Sequence, residues 1–214
     1  MIHHHKPSPI AGTTMKRYLL IPFLIMSSLS RAGGDAAGPS FNCSAVTADS
    51  IAAMICNDAS LSSLDRQLAL VYNAALEKGH NEHPPLLKAE QRGWIKGRDE
   101  CWKSDAVKAC VSASYSTRIA TLQAQYRLVD INATVFYSCN GNPANAVVAT
   151  FFATSPPTLI AERGDQVSLM FLQPSASGAK YQGRNESLWE HQGEAMISWG
   201  YNSEALRCKK TTTQ

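Results

Sequence analysis

Six cysteines and one hydroxyl-bearing loop are the side chains of this sequence best suited to chemistry. Cys43, Cys56, Cys101, Cys110, Cys139 and Cys208 are even in number. In an oxidising compartment they imply disulfides, although six cysteines allow fifteen connectivities. Four lie before residue 111 and two at the ends of the remainder, so the expected pairs are Cys43–Cys56, Cys101–Cys110 and Cys139–Cys208. No Cys-x-x-Cys or Cys/His spacing suits zinc. His80 and His83, in the tract His80-Asn81-Glu82-His83-Pro84-Pro85, show no accompanying ligands, and His3-His4-His5 make a poor metal site. No metal or other cofactor is expected. The loop is Ser175-Ala176-Ser177-Gly178-Ala179-Lys180-Tyr181. A serine hydroxyl can donate to a carboxylate, and a glycine lets backbone approach closely. No nucleophile–base motif, Gly-rich phosphate loop or metal-ligand cluster accompanies it, which argues against an enzyme.

Two kinds of periodicity position these groups. Residues 57–127 are helical in pattern. Leu61, Leu64, Leu68, Val71 and Ala75 recur at threes and fours along one helix, which Asp58 or Ser60 can cap and Gly79 can end at C′. A second helix is expected from about Leu86 to Trp102. A third spans about Ala106 to Arg127, with Val107, Val111, Tyr115, Ile119 and Leu122 on one stripe. Trp94 and Trp102 are expected as core anchors. Arg92, Lys96, Arg98, Asp99 and Glu100 read as a solvated face of close ion pairs. A Cys101–Cys110 bridge across the turn would contribute roughly 2–4 kcal/mol to so small a module.

After Leu128 the period becomes two. Val135, Tyr137 and Cys139 alternate with Thr134, Phe136 and Ser138, and Asn140-Gly141 is a hairpin signal. Short β-type runs follow at 146–152, 158–162, 166–172, 179–182, 187–190, 194–199 and 204–208. Seven or eight short strands argue for a small antiparallel barrel stapled by Cys139 and Cys208. The fold class is therefore α+β, with a disulfide-pinned three-helix module over 41–128 and a β-barrel over 132–210.

The chain start reads as an export signal. Residues 1–14 are an upstream extension, and 15–32 a signal peptide. Its positive start is Met15-Lys16-Arg17, its apolar run Tyr18 to Leu29, and its small-residue cleavage site Ser30-Arg31-Ala32. That run is short for a membrane span, which needs about 20 residues. Cys43 lies too far downstream for lipidation, so a periplasmic or secreted product without a stable membrane anchor is expected. The formal charge of +3 comes from this segment. Without Lys6, Lys16, Arg17 and Arg31 the remainder holds 16 basic against 17 acidic residues. A surface attracting nucleic acid is not expected.

Two resemblances carry a functional expectation. Tyr137-Ser138-Cys139, the loop Ser175–Tyr181, Trp189-Glu190-His191-Gln192-Gly193-Glu194-Ala195 and Cys208 make residues 133–210 resemble the periplasmic and membrane-bound inhibitors of c-type lysozyme. The last motif is one residue short between glycine and glutamate. Phe41-Asn42-Cys43, Ile55-Cys56-Asn57-Asp58, Leu64-Asp65, the run Gln91 to Cys101, Cys110, Tyr115 and Arg118-Ile119 make residues 41–127 similar to the helical module of LprI-type lysozyme inhibitors.

The barrel resemblance implies a protein that plugs the lysozyme cleft, where two carboxylates of unlike protonation cleave the sugar chain. The implied contact set is Ser177, Gly178, Lys180, Tyr181, Gln192 and Gly193, with His191 as an additional contact. Gln192 stands where that family carries lysine, and an amide brings no charge. A charge-assisted hydrogen bond is roughly twice as strong as a neutral one, so weaker inhibition or another target lysozyme follows. Tyr181 and Trp189 are also expected to pack or to orient the loop, and Lys180 to point outward. The alternative is an envelope binding module whose barrel encloses a small or cell-wall ligand, which needs an internal pocket and a buried Ser177 loop.

Overall fold

The computed structural model describes residues 38–79 and 84–211. The upstream extension, the signal peptide and the His80/His83 loop lie outside them. The helical part has four helices, not three: α1 (Ile51–Asn57), α2 (Ala59–Lys78), α3 (Pro84–Asp99) and α4 (Val107–Gln125). Helix α1 spans only seven residues, too few turns for periodicity to register. Ser50 caps it by accepting from the Ala53 N–H at 3.1 Å. Asp58 then breaks the chain into a corner, and its carboxylate accepts from the Ser60 and Leu61 N–H groups to start α2. Gly79 ends α2 at φ −91°, outside the left-handed region. Its lack of a side chain matters for space, since a Cβ there would lie 2.8 Å from the Tyr126 ring.

Leu61, Leu68, Ala75, Val111, Tyr115, Ile119 and Leu122 form the core between α2 and α4, joined by Ile51, Ile55 and Leu87. Disulfides Cys43–Cys56 and Cys101–Cys110 pin the two ends of this module. Two sequence expectations are corrected here. Trp102 is 65% exposed, turned outward at the α3–α4 corner with the Lys103 ammonium 5.3 Å from its ring. Arg98 is 6% exposed rather than part of a solvated face. It bonds Asp99 through Nε and Nη2 and donates from Nη1 to the Tyr115 hydroxyl at 2.8 Å. Tyr115 in turn donates to Asp65 at 2.8 Å, whose other oxygen accepts from the Ser40 N–H and hydroxyl. Burial, before any neighbouring charge, pushes the Tyr115 phenol upward in pKa, so it stays a donor. Trp94 caps this network, 5.2 Å from the Tyr115 ring.

The second part is a closed antiparallel barrel in simple sequence order: β1 (Ile131–Cys139), β2 (Asn142–Phe152), β3 (Thr158–Arg163), β4 (Gln166–Gln173), β5 (Ala179–Gln182), β6 (Glu186–His191), β7 (Glu194–Trp199) and β8 (Leu206–Thr211), with β8 paired to β1. Alternate residues point inward, and Tyr137, Val147, Leu159, Met170, Leu188 and Ile197 fill the interior. Asn140 and Gly141, at φ 52° and 65°, make the two-residue β1–β2 turn. Cys139 and Cys208 face each other in register on β1 and β8, and their disulfide staples the closing seam.

Strand β3 is buried at four successive residues, Thr158 to Ala161. Leu159 and Ala161 face the barrel interior, while Ile160 packs with Ala124, Phe152, Val129 and Leu169 under the end of α4. The helical part therefore covers the outer face of β3 and β4. Strands β7 and β8, on the other side of the ring, stay clear of this junction.

Candidate functional site

The Ser177 loop joins β4 to β5 and folds down onto the end of β6. Gly178 makes this possible twice over. Its φ is +66°, and a Cβ would sit 2.0 Å from the Glu190 carbonyl oxygen. Only glycine permits that backbone-to-backbone approach. Two hydrogen bonds hold the loop through its carbonyls: Ser175 Oγ donates to Gly178 O, and Trp189 Nε1 donates to Ser177 O, both at 2.9 Å. The loop is thus pinned by its backbone, and no hydrogen bond among the described residues occupies the exposed Ser177 hydroxyl.

Across from it, Gln192 and Gly193 form a two-residue turn at φ 50° and 84°, closing the pair His191–Glu194 of β6 and β7. The shortened motif thus gives a tight hairpin that holds Gln192 left-handed. Ser177, Trp189, His191, Gln192, Glu194, Ala195, Met196 and Arg207 line one cleft of about 550 Å³. Gly193 lies on its edge with open space around the position a side chain would take. Trp189, 42% exposed, walls the cleft and orients the loop.

The implied contacts do not all converge. Tyr181 is 8% exposed, inside the barrel with its ring 5.5 Å edge-on to Phe151. Alternation along β5 turns it inward, away from the cleft lining. Lys180 is exposed on β5 opposite Trp189, outside the cleft lining. Beneath the loop, Glu190 accepts from the Tyr137 hydroxyl at 3.2 Å and from Lys210 Nζ at 2.5 Å. Burial first, and Glu190 second, push the Tyr137 and Tyr181 phenols upward, so Tyr137 remains a donor to that carboxylate. These bonds fix the strand end on which Gly178 rests.

Met196 and Arg207 are cleft residues that reading along the sequence missed, and Arg207 is the charged one. It immediately precedes Cys208, and alternation turns it outward when Cys208 faces in, yet its place beside Ser177 depends on barrel closure. A second hollow, of about 390 Å³, lies between α2 and α3, walled by Phe41, Leu68, Tyr72, Trp94 and Ile95 over Asp65 and Arg98. Among the described residues no three His, Cys, Asp or Glu side chains group as for a metal ion, and no helix is long and apolar enough to cross a membrane.

Comparison with known proteins gives the two parts separate matches, in the order the residues imply. Residues 43–122 match the family model of lysozyme inhibitor LprI, and residues 137–205 that of the membrane-bound lysozyme-inhibitor of c-type lysozyme. Lipoprotein LprI of Mycobacterium bovis is 29% identical over 164 residues, covering 76% of this chain and 81% of that protein. Lipoprotein LprI of Mycobacterium tuberculosis is similar to the same extent. Among solved structures, Pseudomonas aeruginosa MliC in complex with hen egg white lysozyme is 18% identical with a TM-score of 0.31, over 39% of this chain and 86% of that one.

Proposed function

We propose that this protein is an exported inhibitor of c-type lysozyme, acting in the periplasm or outside the cell, and that the Ser177–Gly178 loop enters the lysozyme cleft. Both family models that match the chain are of lysozyme inhibitors. The observation that carries the reading is the loop itself. Its carbonyls are tied down, while its exposed Ser177 hydroxyl makes no hydrogen bond among the described residues. A pre-set donor of this kind loses little conformational freedom when it binds a carboxylate. Gln192 contributes an amide from the opposite side of the same cleft. The disulfides suit an oxidising compartment.

Inhibition by a plug needs no chemistry from the inhibitor. It excludes substrate and engages the paired carboxylates. The alternative of a ligand held within the barrel has a hollow of about 320 Å³ at one barrel end, lined by Val135, Phe151, Tyr181, Glu190 and Lys210, but the exposed Ser177 loop favours the inhibitor reading. The test is lysis of bacterial cell walls by a c-type lysozyme with stoichiometric protein present. Wild type should slow lysis, Ser177→Ala should weaken the effect about tenfold, and Gln192→Lys should strengthen it several-fold. Undiminished lysis at stoichiometric wild-type protein sinks the proposal.

A further inference from the structure

Resting on that reading, we infer that Arg207 supplies the cation that the β6–β7 turn lacks, binding an ionised carboxylate in the target cleft. The turn offers only the Gln192 amide, so charge must come from elsewhere if a carboxylate is to be matched. Lys210 is paired with Glu190 at 2.5 Å, and Lys209 lies 3.7 Å from the exposed Glu194 rather than in the cleft lining. Arg207 lines the same cleft as Ser177 and Gln192, is exposed, and has no side-chain hydrogen bond or ion pair among the described residues.

Its backbone is fixed even though its side chain is free. The Arg207 N–H donates to Asn140 Oδ1 at 3.0 Å, and the Asn140 N–H donates to the Arg207 carbonyl at 2.8 Å. The neighbouring Cys208 is bonded to Cys139. A charged fork on a fixed base can pair with a carboxylate through two parallel N–H donors, which an amide cannot match.

The surroundings extend this contact. Register places Arg207 opposite Met196, Met196 opposite Trp189, and Trp189 opposite Lys180. Adjacent strands lie about 4.8 Å apart, so this outward row spans roughly 14 Å. It puts two partly exposed apolar side chains between two exposed cations. A partner surface with an apolar centre flanked by acidic groups complements this row. Glu194, also in the cleft, would oppose such a partner, but Lys209 stands against it.

The experiment is titration of c-type lysozyme with wild type, Arg207→Gln, Arg207→Lys and the double variant Arg207→Gln/Gln192→Lys, at about 20 and 150 mM salt, with thermal melts confirming that each is folded. Arg207→Gln should weaken binding about thirty-fold at low salt and flatten its salt dependence. Arg207→Lys should lose only several-fold, and adding Gln192→Lys should recover most of the deficit. Wild-type binding with Arg207→Gln within twofold of it overturns the assignment while leaving the inhibitor reading intact. No binding by wild type overturns both.

Discussion

Replacing Gly178 by alanine separates a loop that must be shaped from one that merely exists. The new Cβ would lie 2.0 Å from the Glu190 carbonyl oxygen, so the loop must lift by about 1.5 Å to restore contact distance. Alanine at φ +66° adds roughly 1–2 kcal/mol of backbone cost. Lifting the loop also loosens the Trp189–Ser177 and Ser175–Gly178 hydrogen bonds, at about 1 kcal/mol each. The native loop geometry therefore loses roughly 3–4 kcal/mol, equivalent to a several-hundred-fold weaker lysozyme complex. The fold loses less, because an exposed loop can relax by leaving β6. Gly164→Ala is the matched control. Gly164 sits at φ +60° on the β3–β4 turn, with open space around the position a side chain would take. It should lower the melting temperature by a few degrees and leave inhibition unchanged. The assay is inhibition of lysozyme lysis alongside thermal melts of both variants. If Gly178→Ala inhibits within threefold of wild type, the loop geometry is irrelevant and the reasoning fails.

Two further outcomes concern the helical part. Tyr115→Phe leaves Asp65 Oδ1 and Arg98 Nη1 without their shared hydroxyl in a buried site, and should cost about 1–3 kcal/mol in urea denaturation. A loss below about 0.5 kcal/mol would show the network to be incidental. Asp58 is held far below the usual carboxylate range by Lys108 first, then by Ser60 and the Leu61 N–H. A carboxyl depressed in the folded state stabilises above its unfolded value, near pH 4, and that contribution is lost as pH falls toward the folded one. The melting-temperature gap between wild type and Asp58→Asn should therefore be full at pH 6 and narrow steadily below pH 4. A gap independent of pH would exclude the ion pair as its cause.

Periodicity reached the elements whose pattern repeats. The α2 and α4 stripes and the β strands lie close to their expected limits because each repeats its apolar spacing over several turns or pairs. Helix α1 lacked the length, and Trp102 was misplaced because an aromatic in a short corner can face either way. Arg98 reads as solvated within a charged run. It is buried because Tyr115 and Asp65, 17 and 33 residues away in sequence, arrive with matching polar atoms, and no local pattern encodes that meeting. Within the site, the loop motif led to Ser177 and Gly178, while alternation along β5 was enough to turn Tyr181 inward. Arg207 needed the closed ring, since β8 meets β7 only after the chain has gone around the barrel.

The junction between the two parts bears on how their roles can be told apart. Phe152 and Ile160 are nearly inaccessible where α4 ends on β3, with Leu169 packed beside them. Cutting the chain near residue 130 would expose these side chains, each worth roughly 2 kcal/mol of burial, so the isolated barrel would be weakened for reasons unrelated to binding. A silent fragment would then say nothing about its surface. The cleft on β6 to β8 lies away from the β3–β4 face that α4 covers, so the helical part neither lines nor blocks it. Surface substitutions at Ser177 and Arg207 in the intact chain, set against substitutions lining the α2–α3 hollow, therefore report on each part while the junction stays whole. Inhibition lost only in the first set places the activity on the barrel, and inhibition lost in both requires a second contact from the helices.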